Sequence, residues 1–354
     1  MVCIQYHLIL SLLSCFSLHQ AVSPLPTPID SVCQGATWNR NGITVAGGLG
    51  LGSGLNQLYY PNGLFVDDRG IYIADTNNHR VMKWSSGASN GEVIVNGNDQ
   101  VDGKPLGQLT KVVVDRDENV YVCDRDNKRV LKYRKDEKQG ETILKDISCW
   151  GLALDNQGSL YVSDLEANLV MKWPDNLIVA GGNGRGNGLN QLSSPYNIFV
   201  DASRTLFIVD RGNNRIMKWL AGAQEGQLAI ASKGFGNADD QLYKPMGVTV
   251  DGMGSVYVVE YINTRVVRWL DNAQAGKVII GGPGYGSSPA QLYFPRDVAF
   301  DRDGNLYVAD TNNNRIQMYT IDKSACVSGS LDRELIHIVK IFFSFSLIEM
   351  PNTY

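Results

Sequence analysis

The 354-residue chain sets 32 Lys and Arg against 36 Asp and Glu, a formal charge of −4, with 44% hydrophobic and 19% charged residues. That composition is globular and long enough for two ordinary domains or one large repeat array. It supplies no overall positive field, so nucleic acid and anionic membrane surfaces are not expected partners.

The chain opens with an apolar run from Leu8 to Leu18, followed by Ala21, Ser23 and the stretch PLPTP. This reads as a signal peptide over 1–23 and a Pro-rich lead over 24–37, without the usual positive n-region. The run is about half the ~20 residues a membrane span needs. Removing it leaves Cys33, Cys123, Cys149 and Cys326, an even number suited to disulfides in an exported protein. With no N-x-[ST] acceptor in the chain, N-glycosylation is not expected.

From residue 38 one pattern repeats. A strand ending in Asp (63–67, 112–115, 151–155, 197–201, 247–251, 297–301) leads through a short polar turn into a Tyr-rich, β-branched strand ending in an acid at 75, 124, 164, 210, 260 and 310. A third strand ends in Trp or Tyr. A fourth follows at 92–95, 141–144, 176–180, 227–231 and 277–280, but not after the last unit. The missing one is supplied by ITVAGG (43–48), which precedes the first unit and can close a circle. The acids recur at propeller-blade spacing, so the sequence predicts an all-β fold, a six-bladed β-propeller of four-stranded blades closed by an N-terminal strand in the last blade.

The stretch GNGRGNGLNQLSSPYNIFVDASRTLFIVDRGNNRIMKW (183–219) resembles an NHL repeat, and the resemblance runs over about residues 38–322. It implies the same six-bladed propeller. It implies little about function, because this superfold hosts lyases, lactonases, ligand sensors and adaptors.

Several recurring residues read as structural. Arg80, Arg129, Arg215, Arg265 and Arg315 follow the acid by five positions, with Leu169 in the third unit. A single site does not need five copies, whereas a guanidinium pairing in each blade does. Asn78, Asn127, Asn213, Asn263 and Asn313 suit Asx-type turns, and Trp84, Trp173, Trp219, Trp269, Tyr133 and Tyr319 suit wedges between blades. The Gly-rich runs 47–58, 181–192 and 281–292 precede strands rather than helices, so they read as inter-blade connections and not phosphate loops. The third unit lacks such a run. His79 occupies a position filled elsewhere by Lys128, Asn168, Asn214, Thr264 and Asn314, and is expected to face solvent.

A site is sought among residues that do not repeat. The start of each inner strand and the end of the second lie at one mouth of the channel, and Asn62, Lys111, Trp150, Tyr196, Asn197, Arg296 and Asp297 fall there. The residues after the second-strand acid also vary: Thr76, Arg125, Leu165, Arg211, Tyr261 and Thr311. The expectation is a secreted, extracellular, non-enzymatic binding or scaffold propeller for a protein, peptide or small ligand, with no cofactor.

The alternative is a metal-dependent hydrolase or lyase. Zinc would need three ligands; of the four histidines His7 and His19 lie in the expected signal peptide and His337 in the tail, and His79 alone cannot supply them, whereas Asp297, Asn197 and Asn62 offer part of a calcium set. A ubiquitin-ligase-related NHL adaptor is a third reading, disfavoured because no C-x₂-C framework precedes the repeats. Cys33 and Cys326 flank the seam of the ring and are expected to form a disulfide; for Cys123 and Cys149, pairing and two buried thiols both remain open. In the tail 323–354, residues 335–354 are apolar but interrupted by Lys340 and too short to span a membrane, and the tail does not resemble a blade.

Overall fold

The computed structural model describes residues 32–230 and 234–326. The expected signal peptide and the tail from 327 lie outside the described residues. Six four-stranded antiparallel sheets follow in chain order: blade 1 (61–95), blade 2 (109–145), blade 3 (149–181), blade 4 (195–230), blade 5 (245–281) and blade 6 (297–319). Blade 6 takes its outer strand from Ile43–Gly47, which pairs with Arg315–Tyr319.

This closure follows from side-chain fit. Gly91 precedes the outer strand of blade 1, and a Cβ there would stand 2.5 Å from the Trp84 ring. Gly42 stands in the same relation to Tyr319, at 2.8 Å, just before the closing strand. A side chain at either would overlap the ring, so only glycine lets the chain cross it. Trp84, Trp219, Trp269, Tyr133 and Tyr319 are buried as wedges, whereas Trp173 is half-buried. It still packs between blades 2 and 3, its ring 6.3 Å from that of Tyr121, and blade 3 turns into its outer strand through Pro174 instead of a glycine.

The second strands are buried along their whole length in blades 2 to 5, and the apolar clusters join neighbouring blades. Blade 1 and blade 6 share Leu64, Ile73, Trp84, Ala309 and Ile316. No blade buries both faces of its sheet alone, so the ring is the unit of stability.

The recurring arginines hold the Gly-rich loops. Arg215 Nε donates to Asp210 at 2.7 Å, and its other nitrogens donate to the carbonyls of Asn187, Gly188 and Gln191. Arg80 and Arg315 make the same four bonds in blades 1 and 6. The fork suits this work because it satisfies several acceptors in one plane. Burial pushes the Asp75, Asp210, Asp310 and Glu260 carboxyls up, against the opposing pull of the Asn and Arg donors.

The Asn residues do not form Asx turns. Asn213 donates to Asp210 and, across 27 positions, to Gly186 of the loop, and Asn78, Asn263 and Asn313 do likewise. The turn itself is made by a left-handed residue, His79, Lys128, Asn168, Asn214, Thr264 or Asn314. At that position Asn168, Asn214 and Asn314 accept from a backbone N–H of the next blade. His79 is half-buried with its Nδ1 out of contact with water, not solvent-facing.

The seam is clamped twice. Cys33 and Cys326 form a disulfide with a Cα–Cα distance of 5.7 Å, and Thr37–Trp38 pairs with Ile321–Asp322. The lead is therefore bound to the ring from at least Cys33 onward, and residues 324–326 belong with it. Arg268 of blade 5 fastens it further. Its guanidinium donates to the carbonyls of Cys33, Gln34 and Ala36, and lies 5.6 Å over both Trp38 and Tyr257. The equivalent positions in blades 1 to 4 are Lys83, Lys132, Lys172 and Lys218, and no strap crosses them. Cys123 and Cys149 also form a disulfide, joining blades 2 and 3. Among the described residues no helix is long and apolar enough to cross a membrane.

Candidate functional site at the channel mouth

The inner strands begin two residues before their predicted starts in blades 1, 3, 4 and 5 and three before in blade 2, and the pairing register shifts there. Two residues face one partner at Asn62–Gly63, Thr110–Lys111 and Tyr196–Asn197, and a single extra residue stands at Trp150 and Met246. A bulge leaves residues out of the ladder and re-aims their side chains. The positions that vary between blades are thus the ones the backbone turns toward the mouth.

The first tier alternates glycine with polar residues: Gly63, Lys111, Gly151, Asn197, Gly247 and Asp297. A Cβ on Gly63 would lie 2.8 Å from Lys111 Cα, and one on Gly247 2.9 Å from Asp297 Cα. The glycines give the polar three room to meet across the mouth. Lys111 Nζ donates to Asp297 Oδ2 and to the Leu64 carbonyl at 3.1 Å; Asn197 Nδ2 donates to Asp297 Oδ1. The backbone N–H groups of Leu64 and Val298 complete the set at 2.8 and 2.9 Å.

Asp297 thus accepts from four donors, about the full capacity of a carboxylate. Asn197 Oδ1 is occupied by the N–H of Ile198. A calcium ion would have to displace the Lys111 ammonium and break these bonds, so the donor set does not fit a cation. Among the described residues no three His, Cys, Asp or Glu side chains converge as metal ligands.

All seven residues singled out in the sequence line one depression, with Gly63 and Thr110, but only about 10 Å³ of it is empty, room for roughly one water. Lys111, Asn197 and Asp297 are buried and spent on one another. They form a plug. Beneath it lies a channel cavity of about 120 Å³ lined mainly by apolar inner-strand residues such as Phe65, Phe199 and Phe300.

Above the plug, cations alternate with rings. Trp150 and Tyr196 lie 4.3 Å apart between centroids; Arg125 covers Trp150 at 5.1 Å and Arg211 covers Tyr196 at 5.5 Å. Arg296 donates to the Tyr196 hydroxyl at 3.2 Å and lies 5.2 Å over Tyr261, which stacks on Phe294 at 4.6 Å. Burial pushes the Tyr196 phenol up to about 12, so it stays neutral. Asn62 Oδ1 and the Nε atoms of Arg211 and Arg296 are buried without a hydrogen-bond partner. The crescent ends at Arg296, at the entry to blade 6; after the second strands of blades 6 and 1 stand Thr311 and Thr76, which bind the carbonyls of Pro61 and Leu109 instead.

Sequence reasoning placed Arg125, Arg211 and Tyr261 among the varying positions but not in the site. The signal was their variation; the missing knowledge was which neighbouring blade each side chain leans on.

The NHL repeat family model matches residues 58–84 and 292–319, in blades 1 and 6. No curated protein sequence matches the chain. Among solved structures the chain is similar to a structural genomics protein of unknown function from Bacteroides thetaiotaomicron, with TM-score 0.62 and 16% identity over 81% of this chain and 76% of that one. It is similar to an auxiliary nutrient binding protein from Bacteroides ovatus, with TM-score 0.60 and 12% identity over 81% and 77%. It is also similar to virginiamycin B lyase from Staphylococcus aureus, with TM-score 0.53 and 12% identity over 80% and 99%. At these identities the likeness shows the fold alone. The repeat matches at both sides of the seam, in a ring of six four-stranded blades, make this chain an NHL-repeat β-propeller.

Proposed function

We propose that the protein is an exported binding propeller that takes an extracellular ligand at the channel mouth, on the crescent formed by Arg125, Trp150, Tyr196, Arg211, Tyr261 and Arg296. The observation that carries this reading is the break in the repeat. Five blades use one residue set to hold loops, while the mouth positions vary between sectors and present cations and rings, most of them half-buried. Aromatic and arginine side chains of this kind are the usual anchors of recognition surfaces.

Two disulfides support export, since such bonds persist in oxidising compartments. The nutrient-binding propeller of like fold is consistent with a binding role. Lys111, Asn197 and Asp297, first expected to touch ligand, form the floor and hold the crescent in place. The test is affinity selection of small molecules and peptides on the secreted protein, repeated with the Arg125→Ala/Trp150→Ala variant. Ligands retained by the native protein should bind the variant at least about 10-fold more weakly, as for loss of a central anchor. Equal retention of every ligand by both proteins contradicts the reading.

A further inference from the structure

The ligand class can be narrowed from charge and hydrogen-bond bookkeeping at the mouth, an inference that rests on the mouth being the binding face. Most buried or half-buried cations in this protein have a carboxylate. Arg80, Arg129, Arg215, Arg265 and Arg315 pair with the acid of their own blade, Lys111 with Asp297, and Arg125 with Asp126. Lys83, Lys132 and Lys218 lie half-buried over aromatic rings without one; among the arginines, Arg211 and Arg296 stand apart. Neither has an acidic partner among the described residues, and both have a buried Nε without an acceptor. Both also converge on one side chain, Arg211 over the face of Tyr196 and Arg296 at its hydroxyl.

A buried N–H left without an acceptor is costly, and a guanidinium fork is matched by two oxygens of a carboxylate or a phosphate. The neutral Tyr196 supplies no competing negative charge. With Asp297 saturated by its own donors, the nearby acid leaves these two cations uncompensated.

We infer that Arg211 and Arg296 form an oxyanion site over Tyr196, and that the ligand of this propeller presents a carboxylate or phosphate group to it. Both groups share the required chemistry, and acetate and inorganic phosphate serve as separate probes. Each is titrated into ¹⁵N-arginine-labelled protein while the Nε–H resonances of Arg211 and Arg296 are followed, with acetamide as the uncharged control.

At least one anion should shift both resonances saturably, acetamide should not, and Arg296→Gln or Arg211→Gln should weaken the response of the remaining arginine at least about 10-fold, the expected loss of a charge-assisted fork. A response to acetate alone assigns a carboxylate, and to phosphate alone a phosphate. Failure of both anions to shift either resonance overturns the inference, as does an unchanged titration in the two variants. In those cases a ligand retained by the native protein but lost from Arg125→Ala/Trp150→Ala would still uphold the mouth as the binding face. An Arg116→Gln variant, which removes an exposed cation outside the mouth, should titrate like the native protein.

Discussion

Blade 4 enters through the glycine-rich loop 181–192, and Arg215 and Asn213 fasten that loop to Asp210. Blade 3 enters almost directly from the outer strand Glu141–Lys145 to the inner strand Cys149–Leu154, so there is no loop to fasten. Its Arg and Asn positions are Leu169 and Ala167, and Asp164 accepts from the N–H groups of Glu166 and Ala167 instead. The arginine is kept where loop carbonyls wait for it and is absent where they do not. Blade 3 therefore lacks both the pin and the loop it would hold, and the Cys123–Cys149 disulfide supplies a covalent tie to blade 2 in the same sector.

If the ring is the stable unit, opening its seam should matter most. Replacing Cys33 and Cys326 by Ser releases a loop closed over a separation of 293 residues, and should lower the unfolding free energy by about 5 kcal/mol in urea titrations. The Cys123→Ser/Cys149→Ser pair closes only 26 residues and should cost less, about 3 kcal/mol. Equal effects would show that the seam has no special place.

The contrast between blades is sharpened by removing the loop pin. Arg315→Ala leaves Asp310 and three loop carbonyls without their partner and should cost roughly 3–5 kcal/mol, the usual penalty for breaking a buried ion pair. Leu169→Ala at the matching place in blade 3 should cost about 1 kcal/mol or less, as a half-exposed residue with no pin to break. A smaller effect tests the strap: Arg268→Lys keeps the charge but loses the fork to three carbonyls, and should cost about 1–3 kcal/mol and ease proteolysis near Cys33.

The architecture was largely legible because its causes are local and repeated. The acid at 75, 124, 164, 210, 260 and 310 and the aromatic nine positions on mark each hairpin, and the unpaired strand at 43–48 marks the closure. The partners of the pins were not legible. Asn213 reaches a carbonyl 27 positions away, a contact that only the folded loop creates. The mouth was legible as variation but not as chemistry. Lys111 and Asp297 are 186 positions apart and neutralise each other across the ring, so two residues that looked available for ligand are the floor. Cys123 and Cys149 could be read either way because their pairing depends on how blades 2 and 3 abut.

The central claim is that repeated residues hold the ring and unrepeated ones face the ligand, and two arginines four positions apart in blade 4 decide it. Urea unfolding of Arg211→Ala and Arg215→Ala measures both on one scale. Arg211→Ala should fall within about 0.5 kcal/mol of the native protein, as for a surface group, while Arg215→Ala loses several kcal/mol. A comparable loss from both would contradict the account, because Arg211 would then be one more pin.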